Sequence, residues 1–160
     1  MMITESRPTG LVDEWRPLLA AHARSVRFAP QTRIFAEGAA ADRFWLLERG
    51  LVALDSHLPG RGSVVVETVH GGDVLGLSWS CPSRPRRFGA VAWERTEALE
   101  VDADTCRKLF EEDPLLGYTV VSELMAATVD RLQAARLRLL DPYREGVSGG
   151  AGGAGPALPG

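Results

Sequence analysis

The sequence predicts a mainly β domain, a barrel or sandwich with helices at its flanks. Three observations carry this. Short apolar segments recur at 34–35, 44–47, 51–54, 64–69, 74–77, 90–93 and 98–101. Turn chemistry separates them: "AEGAAAD", "ERG", "HLPGRGS", "HGGD" and "CPSRPRR". Many short strands so punctuated indicate an all-β barrel or sandwich. After Val101 the apolar period changes from that of strands to 3.6, which places helices on the C-terminal side.

Taken in order, residues 1–10, "MMITESRPTG", have no apolar core and read as a flexible N-terminus, not a signal peptide. Leu11, Trp15, Leu18 and Leu19 fall at helical spacing and predict a short helix over 11–23. Pro17 belongs near a helix start, so the regular part begins near Trp15. The clearest hairpin is "LVALDSHLPGRGSVVVETV", whose strands are joined by a loop carrying Pro59, Gly60 and Gly62. Beyond the last strand, Asp102 or Asp104 can cap a helix over "ADTCRKLFEED". Pro114 opens a second, longer helix with Asp113 as its N-cap. That helix is expected to run to about Leu140 and to be halted by Asp141–Pro142. The tail over 143–160, ending "GVSGGAGGAGPALPG", has too little apolar side chain to offset ordering entropy and is expected to be disordered.

Composition narrows the class of function. A chain of 160 residues, 45% hydrophobic and 24% charged, is one globular domain with a tail. Its net charge of −3 argues against a large nucleic-acid surface. The two cysteines, Cys81 and Cys106, are far apart and lack metal spacing, which predicts free thiols in a reducing cytoplasm. No apolar run approaches the length of a membrane span. His22, His57 and His70 lie on separate elements, so no metal site is expected. No cofactor and no catalytic residues are expected either, since no nucleophile–base signature is present.

The long helix carries a seam. Val121, Met125, Thr128, Leu132, Ala135 and Leu139 alternate spacings of four and three, a heptad pattern. A second apolar set, Leu116, Val120, Leu124 and Leu137, lies beside it. One helix cannot turn both sets onto one small barrel. The seam is therefore expected to meet the same helix of a second subunit, giving a homodimer.

Two stretches resemble a known family. "FAPQTRIFAEGAAADRFWLLERGLVAL" looks like paired opening strands with E-G and G-x-V turns, and "VHGGDVLGLSWSCPSRPRRFGAVA" looks like a phosphate-binding cassette. The second combines G-D-x-x-G, an arginine ten residues after its last glycine, and A-V-A. With "RLQAARLRLL" as dimer helix, the chain resembles the cyclic-nucleotide-binding domain of the catabolite activator protein family over about residues 11–142. The resemblance implies a double-stranded β-helix (jelly-roll) barrel with a short N-terminal helix, a capping helix and a long dimerisation helix. It implies that backbone amides and an arginine hold a cyclic phosphate.

Carried over by residue, Gly76 matches the cassette glycine and Arg86 the phosphate arginine. Arg87 falls where a small hydroxyl residue follows that arginine, and Ala92 closes the cassette. Arg84 is the alternative if the loop register slips. Leu77 stands where the family has the glutamate that accepts from the ribose hydroxyl, and Phe88 where it has a small residue beside the phosphate. Ser78 and Trp79 occupy the cassette's short helix. Ala135 and Arg136 stand where a helix of the family reads the base with a hydroxyl pair. The expected ligand-binding residues are thus Gly76, Leu77, Ser78, Arg86, Arg87, Phe88, Ala135 and Arg136, in a remodelled pocket.

Transcription factors of this family continue into a helix-turn-helix. The residues after Pro142 are mostly Gly, Ala and Pro, so no DNA binding by this chain alone is expected. The resulting expectation is a cytoplasmic sensor domain that binds a nucleotide or other small anion and signals to a separate partner protein. The alternative is a dimerisation or docking module with an emptied pocket. A cupin-type enzyme lacks its clustered histidines here.

Overall fold

The computed structural model describes residues 16–80 and 84–148. Residues 1–15, with Leu11 and Trp15, then Cys81, and the stretch from 149 lie outside the described residues. The chain falls into two compact units divided between Val120 and Val121. Each is described by itself.

In the first unit, residues 16–19 are helical and a 3-10 turn follows at Ala20–His22. Eight strands come next: β1 (Ala23–Phe28), β2 (Arg33–Phe35), β3 (Arg43–Arg49), β4 (Leu51–Leu58), β5 (Gly62–His70), β6 (Val74–Leu75), β7 (Gly89–Ala92) and β8 (Thr96–Asp102). They form two four-stranded sheets in the orders β1-β8-β3-β6 and β2-β7-β4-β5. The chain crosses between the sheets at every step except the β4–β5 hairpin, which is the jelly-roll arrangement. Helices α1 (Ala103–Glu112) and α2 (Pro114–Arg138) follow.

Alternation along the strands builds the interior. Trp45, Leu47, Val52, Val69, Leu75, Ala90 and Ala98 form the buried cluster, with Val26, Phe28, Ile34, Phe35 and Leu54 packed on it. Strand β3 is buried on both faces, because Phe44 and Leu46 point the other way and are also fully buried. On that side Phe44 stacks on Trp79 at 4.7 Å, and Trp79 meets Phe110 of α1 at 6.1 Å.

Strand β1 was not among the apolar segments read from the sequence. Arg24, Ser25 and Arg27 interrupt it, and its identity comes from six-residue pairing with β8. It begins at Ala23, so the expected N-terminal helix ends earlier than 23. The apolar run 74–77 is strand only over Val74–Leu75, since Gly76 turns left-handed and Leu77 opens a 3-10 turn.

The helix caps follow from local chemistry. Asp102, not Asp104, caps α1: its Oδ1 accepts from the Thr105 amide at 2.8 Å and the Thr105 hydroxyl at 2.9 Å. Asp113 Oδ1 accepts from the Leu116 amide at 3.1 Å, so Pro114 sits at the first helical position of α2.

In the second unit α2 ends at Arg138, and α3 spans Asp141–Ser148. The disordered tail expected from 143 therefore gives way to helix up to Ser148. Pro142 disfavours continuation of α2 but is preorganised for the first turn of a new helix, with Asp141 at its positive end. Of the expected seam, Val121, Met125, Thr128, Leu132 and Leu139 are exposed and Ala135 is half-buried. In this unit the exposed large apolar residues Val121, Met125, Leu132 and Leu139 belong to that seam, and Val129 and Leu137 lie outside it.

Candidate anion site at the cassette

The site is built where β6 ends. Gly76 has φ +86, a conformation that costs any residue with a Cβ, and a Cβ there would lie 2.8 Å from Arg86 Nη1. The 3-10 turn Leu77–Ser80 follows. Leu77 and Ser78 are half-buried within it, and Ser80 Oγ donates to the Leu77 carbonyl at 3.0 Å. Trp79 faces the Phe44–Phe110 side as part of the core. Its carbonyl accepts from Arg107 Nη2 at 2.6 Å, which ties the turn to α1.

The three loop arginines part company. Arg84 and Arg87 are exposed, whereas Arg86 is 2% exposed. Its guanidinium lies 4.0 Å from the Phe35 ring centroid and 5.3 Å from that of Trp45. Nη2 donates to the Arg43 backbone carbonyl, and Nη1 is buried without a hydrogen-bond partner. Its backbone is bracketed by the β2–β3 loop: the Arg86 amide donates to the Ala39 carbonyl, and the Gly38 amide to the Arg86 carbonyl, both at 2.8 Å. Burial pulls the Arg86 guanidinium below the usual arginine value, and the charge of Asp42 opposes that. A buried cation with an orphaned donor is suited to hold a small anion.

Phe88 stands where the family resemblance puts a residue beside the phosphate. It is 38% exposed, and the rings against Arg86 are Phe35 and Trp45. Trp93, at the end of the apolar segment 90–93, is 51% exposed. Ala135 and Arg136 lie on α2 in the second unit, half-buried and exposed respectively.

Several contributors were not singled out in the sequence. Phe35 and Trp45 stack at 5.4 Å with planes 17° apart. Trp45 Nε1 donates to Glu100 Oε2 at 3.0 Å, and Arg24 and Arg43 donate to Oε1 at 2.6 and 3.2 Å. The available signal was Glu100 itself, a carboxylate two residues after the interior Ala98 and so on the same face of the strand.

A profile of the cyclic nucleotide-binding domain matches residues 25–113. The chain belongs to the cyclic nucleotide-binding domain family. Members of this family with known structures share its fold. A cyclic nucleotide-binding domain from Methylobacillus flagellatus is 22% identical with a TM-score of 0.72, over 80% of this chain and 72% of that one. The catabolite activator protein of Thermus thermophilus is 26% identical with a TM-score of 0.64, over 82% of this chain and 60% of that one. A cyclic nucleotide-binding-like protein from Brucella abortus is 27% identical with a TM-score of 0.55, over 64% of this chain and 91% of that one. Among curated proteins, no match to the chain is found. The family places this cyclic nucleotide-binding domain among regulatory, sensor-type modules. Among the described residues no helix is long and apolar enough to cross a membrane, and no group of three or more His, Cys, Asp or Glu could hold a metal ion.

Proposed function

We propose that this cyclic nucleotide-binding domain is a cytoplasmic sensor whose cassette holds a small, nucleotide-like anion on Arg86. The observation that carries this reading is the buried guanidinium with Nη1 unpartnered beside Gly76. An anion there gains a charge-assisted hydrogen bond in a shielded setting. Leu77 offers no acceptor to a ribose hydroxyl, and the loss of such a bond to a charged group costs about 1.5–3 kcal/mol. That is roughly ten- to over a hundredfold in affinity, so cyclic AMP is expected to bind weakly. The exposed stripe on α2 supports pairing with a second copy, with the ligand state passed on to a partner protein.

Isothermal titration with cyclic AMP, cyclic GMP and inorganic phosphate tests the site, beside a thermal-shift screen of linear nucleotides. A ligand at a hundred times its dissociation constant stabilises by about 2.7 kcal/mol, a readable shift. Binding that disappears in Arg86→Ala supports the site. Failure of every anion to bind supports the second reading, a dimerisation or docking module. That alternative is favoured by the intramolecular bond Arg86 already makes to the Arg43 carbonyl.

A further inference from the structure

We propose that Glu100 is a positioning residue for Arg86, acting through the indole of Trp45. This rests on reading Arg86 as the anion-binding group. Glu100 is separated from the cassette in sequence, and its side chain is 12% exposed within β8, where it pairs in register with Trp45. Both of its oxygens are occupied. Oε2 accepts the Trp45 indole N–H at 3.0 Å, and Oε1 accepts Arg24 and Arg43 at 2.6 and 3.2 Å.

The indole is the element that carries the effect. Trp45 stands between Glu100 and the cassette, with its Cζ3 3.5 Å from where a Cβ on Gly76 would lie. Its ring stacks on Phe35, and Arg86 rests against both. The Trp45 ring is buried and stacked, and its N–H left there without an acceptor would be a costly unsatisfied donor that favours a shifted ring. Bonded to a carboxylate that two arginines hold in turn, it is confined to one orientation. Arg43 adds a second link, since its side chain grips Glu100 while its backbone carbonyl accepts from Arg86 Nη2. The guanidinium is thereby kept from rotating, and Nη1 stays aimed beside Gly76. An orienting partner of this kind fixes a binding group without touching the ligand.

The test follows the guanidinium directly. In nitrogen-15 spectra of the whole chain, the Arg86 Nη signals are assigned by their loss in Arg86→Lys. They are expected to be resolved in the wild type, because rotation is blocked. In Glu100→Ala they are expected to merge while the protein still melts cooperatively. Glu100→Gln keeps an acceptor for the indole and is expected to keep them resolved, which loss of the Arg24 and Arg43 ion pairs alone would not explain. Should Glu100→Ala fail to fold, Trp45→Phe breaks the same link from the other end and is expected to merge the signals. Signals that stay resolved in either folded variant overturn the proposal. A wild type that binds neither cyclic AMP nor inorganic phosphate overturns the anion reading instead, and the Arg86 signals still decide the role of Glu100. If inorganic phosphate binds, Glu100→Ala is expected to weaken it about tenfold, the scale on which removing an orienting partner acts. Unchanged phosphate affinity in that variant counts against the proposal.

Discussion

Gly76 and Arg86 are held so close together that position 76 has little room for a side chain. A Cβ at position 76 meets two costs at once, the left-handed backbone and contact with Nη1. We predict that Gly76→Ala lowers stability by about 1–2 kcal/mol from the backbone alone. Chemical denaturation checks this, and an unchanged midpoint would refute it. Gly89 is small for a related reason: its Cβ would land on the Arg33–Asp55 pair that spans β7. Asp55 is 7% exposed and accepts from both Arg33 nitrogens and from Ser63 Oγ. The hydrogen bond from Arg33 is the main cause that holds its carboxyl below the ordinary value of 3.8, with Ser63 adding to it. A depressed carboxyl stabilises the fold above its unfolded value and loses that contribution as pH falls below about 4 toward the folded value. Melting curves between about pH 5 and 2.5 should therefore fall more steeply for wild type than for Asp55→Asn. Parallel curves would show that the pair adds nothing. At neutral pH the expected loss in the variant is about 1 kcal/mol, discounted because Arg33 is half exposed.

At the scale of elements, caps and turns behave as their residue types dictate. We predict that Asp102→Ala costs about 1 kcal/mol, because the amide and hydroxyl of Thr105 both lose their acceptor. In a chain of this size that is roughly a 2–4 °C drop in Tm, while Asp104→Ala should leave the cap intact. Equal drops in the two variants would place the cap elsewhere. Strand β1 shows where local reading fails. Only Val26 and Phe28 of its six residues pack on the core, and its polar positions look like loop until β8 is beside them. Cys106 was legible as a free thiol, but its reactivity was not. Burial pushes it up to about 12, so it is an inert core residue.

For the whole molecule, assembly is the open prediction. Leu132 is 48% exposed on α2, in a stripe shared with Met125, Val129 and Leu139. Leu132→Asp is expected to convert a dimer into monomer in light scattering, with the helical content unchanged. A wild type that is monomeric at every concentration would remove the dimer from the proposal.

The amino-acid order alone determined the β-rich class, the β4–β5 hairpin, the Asp113 cap with a choice of Asp102 or Asp104 for the other, and the Gly76 turn with candidate arginines after it. All of these depend on residues within a few positions of one another. Tertiary structure decided which arginine is buried, which rings surround it and which face of α2 is left open. Arg86 meets the Arg43 carbonyl across 43 positions, and Trp45 meets Glu100 across 55. Burial is a property of the neighbours that folding brings in, and no local pattern in "SRPRRF" distinguishes Arg86 from Arg84 or Arg87. The physical difference arises only when β2, β3 and the loop between them pack around it.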